Sequence, residues 1–279
     1  MSRHRREVYV EVGNRIALIA GNGKFPILFA QEAKKKAVDI VAIAINEETE
    51  KELERYVDKI YWLGVGELQK LFQVLLKEKL TTAVMAGQVK HKALFDKSIK
   101  IDPLMQKLLD TVKDKKTDSL IGAVAKRLEA AGVKLLDSTM FLSELLPEKG
   151  VLTKKPLDEK ILGDIEFGKE IAKSIAGLDI GQTVVVKDKV VLAIESIEGT
   201  DEAIKRGAKY GKEGIVVVKV SKPNQDMRFD VPIIGPETIK LLSQLKAACI
   251  AIEAKKTLII DKEETIQLAD VLKVAIVAI

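Results

Sequence analysis

The sequence predicts a two-domain α/β protein, an N-terminal domain on a parallel sheet followed by a second α/β domain with a mixed sheet. Three observations predict it. Short, continuously apolar runs alternate with amphipathic helical patterns through the first half of the chain. A stretch at residues 144–156 with two prolines and Gly150 then interrupts the alternation. Beyond it, two Val-rich runs flank Lys187-Asp188-Lys189, the pattern of an antiparallel hairpin.

The first strand is Ile16-Ala17-Leu18-Ile19-Ala20, which stops at Gly21-Asn22-Gly23. A helix follows with Phe25, Leu28, Phe29 and Ala33 on one face. Residues 38–45 form a second buried strand, residues 47–55 a helix, and residues 59–63 a third strand. Residues 67–79 are amphipathic, with Leu68, Leu71, Phe72, Leu75 and Leu76 as the apolar stripe. A fourth strand at residues 82–87, helices at 104–112 and 120–131, and a strand at 133–136 complete the set. Parallel strands buried on both faces make this half Rossmann-like in the broad sense.

The second half opens with a long helix over residues 159–176, then the hairpin at residues 183–194. A strand at 215–220, a helix at 237–245, a hairpin at 250–260, a helix at 263–272 and a strand at 274–279 follow. The expected organisation is residues 1–146 as the N-terminal Rossmann-like domain, 147–157 as linker, and 158–279 as the C-terminal α/β catalytic domain.

Composition agrees with a globular chain, at 47% hydrophobic, 31% charged and 4% aromatic over 279 residues. The one cysteine, Cys249, lies in an apolar run, which predicts a buried thiol and a reducing compartment. The net charge of +5 comes with cations and anions mixed along the chain. Clusters such as Arg3-His4-Arg5-Arg6 and Lys34-Lys35-Lys36 read either as solvated faces or as attraction to an anionic membrane surface or substrate. The basic start leads into strand-like residues 8–12, not an apolar signal helix. No apolar run reaches about 18 residues, so no membrane span is expected.

Several motif classes are missing. There is no H-E-x-x-H, G-x-S-x-G, paired C-x-x-C or Walker sequence, which removes zinc protease, serine hydrolase, zinc-ribbon and P-loop readings. Dispersed basic residues without an aromatic platform exclude nucleic acid as a partner. Pro26 stands where a dinucleotide fingerprint needs its third glycine, so a nicotinamide-dependent oxidoreductase is disfavoured.

Gly21, Asn22 and Gly23, between a strand and a helix, read either as a tight turn or as a phosphate or nucleoside contact. Gly87 and Gln88 end a strand where open parallel sheets place ligands; a plain loop glycine is the alternative. His91, between Lys90 and Lys92, reads as exposed, and Thr117 or Asp118 as a helix cap. The second domain is richer. Glu195, Glu198 and Asp201 follow a strand directly, and Lys219, Lys222, Asp226, Arg228 and Asp230 crowd one segment stiffened by Pro223, Pro232 and Pro236. Interleaved cations and carboxylates suit phosphate chemistry, in which cations hold oxygens and carboxylates hold a hard metal or orient water. A salt-bridged surface loop is the competing reading.

Taken together, Ala20-Gly21-Asn22-Gly23-Lys24-Phe25-Pro26, Val84-Met85-Ala86-Gly87, Leu178-Asp179-Ile180-Gly181-Gln182, Ala193-Ile194-Glu195-Ser196-Ile197-Glu198-Gly199-Thr200-Asp201, Asp230-Val231-Pro232-Ile233-Ile234-Gly235 and the C-terminal Glu253-Ala254 with Asp261-Lys262-Glu263 resemble the bacterial UDP-2,3-diacylglucosamine pyrophosphatase family of LpxI type, which lacks the calcineurin-like metallophosphatase fold. The family's first loop is commonly all glycine, and Asn22 departs from that.

The resemblance implies hydrolysis of UDP-2,3-diacylglucosamine to UMP and 2,3-diacylglucosamine 1-phosphate (lipid X) in lipid A synthesis. It implies Mg²⁺ or another divalent metal such as Mn²⁺, a cytoplasmic enzyme peripheral to the inner membrane, and a homodimer. Asp230 matches the position expected to be catalytic, as metal ligand or general base, with Asp226 as a second metal ligand. Glu198 and Asp201 would assist as ligands or orienting groups. Gly21, Asn22, Gly23, Gly87, Gln88, Gln182, Thr200, Lys219, Lys222, Gln225 and Arg228 would bind substrate. A non-catalytic nucleotide-sugar or lipid-binding module is the alternative.

Overall fold

The computed structural model describes residues 15–46, 48–89, 99–112 and 117–279. The strand expected at residues 8–12, His91 with its lysine neighbours, and the capping side chains of Thr117 and Asp118 lie outside the described residues. The chain folds as two units. One reaches to Leu142 and includes Met227–Phe229; the other holds Ser143–Asp226 and Asp230–Ile279.

In the first unit the order is β1 (Arg15–Ala20), α1 (Phe25–Lys35), β2 (Asp39–Ile45), β3 (Lys59–Leu63), α2 (Leu68–Lys77), β4 (Thr82–Ala86), α3 (Pro103–Thr111), α4 (Thr117–Ala130) and β5 (Lys134–Leu135). The five strands pair in parallel in the order β3-β2-β1-β4-β5. Strand order reverses at β1, so the carboxyl ends of β1 and β4 flank the crevice where such sheets take ligands. Ala17, Ile19, Val41, Ile43 and Ala83 on the sheet pack against Leu71, Val74 and Leu75 of α2 and Ala125 and Leu128 of α4.

Two local expectations fail here. The helix expected from residue 47 is only a 3-10 turn at Lys51–Arg55. Thr49 keeps the preceding chain in a turn, its hydroxyl donating to Ala20 O at 2.6 Å and accepting from Ile45 N at 3.0 Å. In α2, Val74 is buried while Leu76 is 78% exposed. At about 100° per residue, the buried arc centres on Leu71, and Leu76 falls about 140° away on the solvent side.

The second unit contains β6 (Gly150–Val151), α5 (Glu159–Gly177), β7 (Thr183–Lys187), β8 (Val190–Ile194), α6 (Thr200–Gly211), β9 (Val216–Lys219), β10 (Ile233–Ile234), α7 (Pro236–Gln244), β11 (Cys249–Ile252), β12 (Leu258–Ile259), α8 (Lys262–Val271) and β13 (Ala275–Ala278). Six strands form a mixed sheet in the order β6-β13-β11-β9-β7-β8. The central β13, β11 and β9 are parallel, while β6, β7 and β8 pair antiparallel. The stretch read as a linker thus supplies β6, a short edge strand.

The expected hairpin at residues 183–194 is present. Its two-residue turn puts Asp188 and Lys189 at φ of 54° and 57°, the backbone twist that suits a tight hairpin. The Asp164 carboxylate accepts both turn amides, at 2.9 and 2.6 Å. Helix α5 covers one face of the sheet with Ile165, Ala172 and Ile175 against Val184, Val186, Val216 and Val218. The opposite face packs Ile204, Ile239, Leu242 and Ala269 on Val185, Val217, Ile250 and Ile276.

Two features differ from expectation. The hairpin expected at residues 250–260 does not form, because β11 pairs in parallel with β9 and β13 while β12 pairs in parallel with β10. Helix α6 was not expected at all. It carries glycines at 207 and 211 on its buried side, and a Cβ on Gly207 would lie 2.5 Å from Val185 Cγ1. Backbone contact replaces part of the side-chain packing there, so the buried stripe of Ala203, Ile204, Gly207, Ala208 and Gly211 holds a single large apolar side chain and is inconspicuous in the sequence.

Candidate active site

In the first unit the expected glycine loops do come together. Gly21 N donates to Ala86 O at 2.8 Å, Asn22 N to Gln88 O at 2.7 Å, and Gln88 N to Asn22 O at 3.1 Å. A Cβ on Gly21 would stand 2.6 Å from Gln88 O, and one on Gly87 would stand 2.7 Å from Asn22 O. The two glycines therefore permit the β1 and β4 loops to touch one another. Gly23, at φ +90° with open space around it, turns the chain into α1. The Asn22 amide donates to Glu48 O at 3.0 Å, and the Gln88 side chain is exposed.

The second unit gathers the charged candidates at one end of its sheet. Lys219 ends β9 and is 8% exposed; its Nζ donates to Thr200 Oγ1 at 2.8 Å. Thr200 donates in turn to Glu195 Oε1 at 2.8 Å, and Gln182 N donates to Glu195 Oε2 at 3.2 Å. Burial pushes the Glu195 carboxyl up, but Lys219, then the Thr183 and Thr200 hydroxyls and the Gln182 amide, outweigh it and hold it below its ordinary value. Thr200 is the first residue of α6, preceded by Gly199 at φ +86° with no side-chain cap. That uncapped end leaves backbone amides and the positive end of the helix dipole beside a buried cation, a combination suited to an anion. The Gln182 Oε1 atom is buried and accepts no hydrogen bond among the described residues.

Three residues beyond Lys219, the loop at residues 222–232 begins. Lys222 Nζ lies 2.9 Å from Asp179 Oδ1 and 3.5 Å from Asp230 Oδ2. Gln225 braces the loop from inside: its Oε1 accepts from Lys222 N at 2.6 Å and its Nε2 donates to Asp230 O. Asp230 N donates to Asp226 O at 2.9 Å, closing a turn with a carboxylate at each end. Strand β10 then anchors the exit, with Leu258 N donating to Pro232 O at 2.8 Å.

Three other candidates have the following surroundings. Glu198 pairs with Arg206, Asp201 is exposed in the first turn of α6, and Arg228 pairs with Glu129 in the first unit while stacking over Phe229 at 5.9 Å. Two contributors were visible in the sequence but were given no role there. Glu195 was one of three nearby carboxylates, and spacing alone gave no sign that it turns inward. Glu253, in the C-terminal Glu253-Ala254 pair, accepts from Ser221 N and Oγ at 2.8 Å each and from Lys173 Nζ at 2.6 Å, fixing the chain just before Lys222.

The donor set also bears on a divalent metal. Among the described residues no group of three or more His, Cys, Asp or Glu is arranged to hold one. Mg²⁺ commonly takes one or two protein carboxylates and completes its shell with water and substrate phosphates. Asp226 and Asp230, partly exposed at the two ends of one turn, fit that second mode.

A parallel-sheet unit with its switch point at β1 and β4, and a mixed-sheet unit carrying a buried lysine at an uncapped helix, define a two-domain α/β protein. Family comparison adds the particular. Residues 15–145 match the LpxI N-terminal domain and residues 148–277 the LpxI C-terminal domain. The chain is 30% identical over 270 residues to the UDP-2,3-diacylglucosamine pyrophosphatase LpxI of Caulobacter vibrioides, covering 92% of this chain and 94% of that one. The chain belongs to the LpxI family. Among solved structures it overlaps a biotin carboxylase domain of a thermophilic 2-oxoglutarate carboxylase at 13% identity and a TM-score of 0.27, over 61% of this chain and about a third (34%) of that one. The biotin carboxylase subunit of a pyruvate carboxylase gives 13% identity and a TM-score of 0.27, over 71% of this chain and 40% of that one. Overlaps at that level carry no functional argument.

Proposed function

We propose that this chain hydrolyses the pyrophosphate of UDP-2,3-diacylglucosamine to UMP and 2,3-diacylglucosamine 1-phosphate, a step of lipid A synthesis. The observation that carries the reading is Lys219, a buried ammonium beside the uncapped N-terminus of α6, within the part of the chain that matches the family's C-terminal domain. In the reaction the water oxygen bonds one phosphorus, the bridging P–O bond breaks, and the bridging oxygen leaves with the other phosphate. The protein's task is chiefly to stabilise charge on the phosphoryl oxygens.

Lys219 and the α6 backbone amides, that of Thr200 among them, hold phosphate oxygens, with Lys222 adding positive charge. Asp230 is the metal ligand or general base, Asp226 the second ligand, and Glu198 and Asp201 supporting groups. A divalent metal held there would polarise a phosphoryl oxygen and lower the pKa of bound water. Gln182 offers its buried acceptor to the substrate. Within the first unit, the turn formed by Gly21, Asn22, Gly23, Gly87 and Gln88 is read as a nucleotide contact.

Among the described residues no helix is long and apolar enough to cross a membrane. A diacylated substrate resides in a bilayer, so the reading includes cytoplasmic action at the inner-membrane surface, and it includes a homodimer. Incubation with UDP-2,3-diacylglucosamine and Mg²⁺, with and without chelator, tests it through UMP release. Formation of UMP that the chelator abolishes is the expected result. Substrate binding without product would leave a nucleotide-sugar or lipid-binding module.

A further inference from the structure

We infer that Glu195 is a positioning residue that acts through the Thr200 hydroxyl to aim the Lys219 ammonium at a phosphate oxygen of the substrate. The inference rests on the pyrophosphatase reading of this site. Its basis is the direction of a hydrogen-bonded chain. Glu195 N donates to Thr183 O at 2.8 Å, continuing the β7–β8 ladder one residue past β8. A Cβ on Gly181 would collide with Glu195 O, so glycine at 181 is what lets the two chains approach closely enough for Gln182 N to reach Glu195 Oε2. The Glu195 backbone and its Oε2 are therefore both fixed before Thr200 meets the other carboxylate oxygen.

An ionised carboxylate only accepts hydrogen bonds, and a hydroxyl has one proton to give. The Thr200 proton is thus committed to Glu195 Oε1, and the Thr200 oxygen is left with lone pairs only, one of which receives Lys219 Nζ. Glu195 makes no direct ion pair with Lys219; the hydroxyl stands between them. The negative charge is close enough to keep the ammonium buried and distant enough not to occupy its donors. Of the three N–H donors of a lysine, Thr200 takes one, and among the described residues no other acceptor is bonded to Lys219. A buried cation with donors to spare, beside the first turn of α6, is prepared for an anionic oxygen from outside the chain.

The test is a double-mutant cycle with Glu195→Gln, Lys219→Met and the double variant, reading kcat and KM with UDP-2,3-diacylglucosamine and Mg²⁺, and folding by circular dichroism. Loss of one preorganised phosphate donor predicts about a 100-fold fall in kcat/KM for Lys219→Met. Glu195→Gln should fall about tenfold, and the double variant should stay within about twofold of Lys219→Met, because residues acting through one another are not additive. A merely structural glutamate would cost the same factor in both backgrounds, and that additivity overturns the inference, as does Glu195→Gln activity within about twofold of wild type. Should Glu195→Gln fail to fold, Thr200→Val cuts the same chain with both charges left in place. A loss of about tenfold that disappears in the Lys219→Met background supports the inference, and any other result overturns it. A wild-type chain without turnover sinks the pyrophosphatase reading and the inference together, whereas an active wild type with an additive cycle sinks only the role of Glu195.

Discussion

Lys222 Nζ stands 3.5 Å from Asp230 Oδ2 and 2.9 Å from Asp179 Oδ1, so one ammonium ties the turn before β7 to the far end of the 222–232 loop. Gln225 braces the same loop between Lys222 N and Asp230 O, so the Asp230 backbone is held by Gln225 and its carboxylate faces Lys222. Preorganisation of this kind is what a phosphoryl-transfer site requires of a residue on a loop.

That placement makes Asp230→Asn the sharpest substitution at the candidate site. A general base or metal ligand removed without change of shape should lower kcat for UMP release by about 100-fold or more, with folding unchanged. Asp179→Asn, which removes one anchor of Lys222 and keeps the Asp230 carboxylate itself, should cost much less. Steady-state UMP release measures both, and an Asp230→Asn enzyme close to wild type would strip Asp230 of its role.

Gly207 meets Val185 backbone to side chain, with no room for a methyl group. Gly207→Ala should therefore destabilise the second unit by about 1–3 kcal/mol through overpacking, even though alanine is the better helix former. Urea denaturation of the two proteins checks the sign. A stabilised Gly207→Ala variant would mean that α6 lifts off the β7–β8 hairpin at little cost.

The same glycine shows how far the sequence could be read. Strands β1, β2, β9 and β11 are apolar except for Arg15, Asp39 and Lys219 at their ends, because both of their faces are covered, and such runs stand out without any structure. Helix α6 does not, since its buried face is built from Gly207, Gly211, two alanines and Ile204, with charge over the remainder. At residues 250–260, two apolar runs flank Lys255-Lys256 as in a hairpin, yet Leu258 finds its partner at Ile233, a long-range pairing that local spacing does not encode. The site divides in the same way. Lys219, Lys222, Asp226 and Asp230 were legible from the density of charge and from family resemblance. Glu195 was not, because Glu195, Glu198 and Asp201 look alike until the fold turns the first inward and leaves Glu198 facing Arg206.

Away from the site, Glu78 should shape the acid stability of the first unit. Its side chain is 7% exposed, with Lys59 Nζ at 2.6 Å, Arg15 at 2.8 Å and the Tyr61 hydroxyl also donating. Lys59 first, then Tyr61, and Arg15 after them, hold the carboxyl down at about 2 against the pull of burial. A depressed carboxyl stabilises the fold fully above its unfolded pKa, near 4.5, and loses that contribution as pH falls toward about 2. The gap in urea midpoint between wild type and Glu78→Gln should therefore close across that window. A gap that stays constant with pH would show that packing, not charge, sets the effect.

Cys249 lies fully buried in β11, and burial pushes its thiol up to about 12. Iodoacetamide at mildly alkaline pH should modify it only as fast as the native protein opens. Rapid labelling of the folded chain would instead place β11 in a region that opens locally.

The central claim is that the buried lysine, the α6 N-terminus and the Asp226–Asp230 turn serve a pyrophosphate. Release of UMP from UDP-2,3-diacylglucosamine by the purified chain, followed with Mg²⁺ and with excess chelator, tests it most directly. Equimolar UMP and 2,3-diacylglucosamine 1-phosphate, formed with Mg²⁺ and lost with chelator, is the result this account predicts. Intact substrate after prolonged incubation with any divalent metal would contradict it.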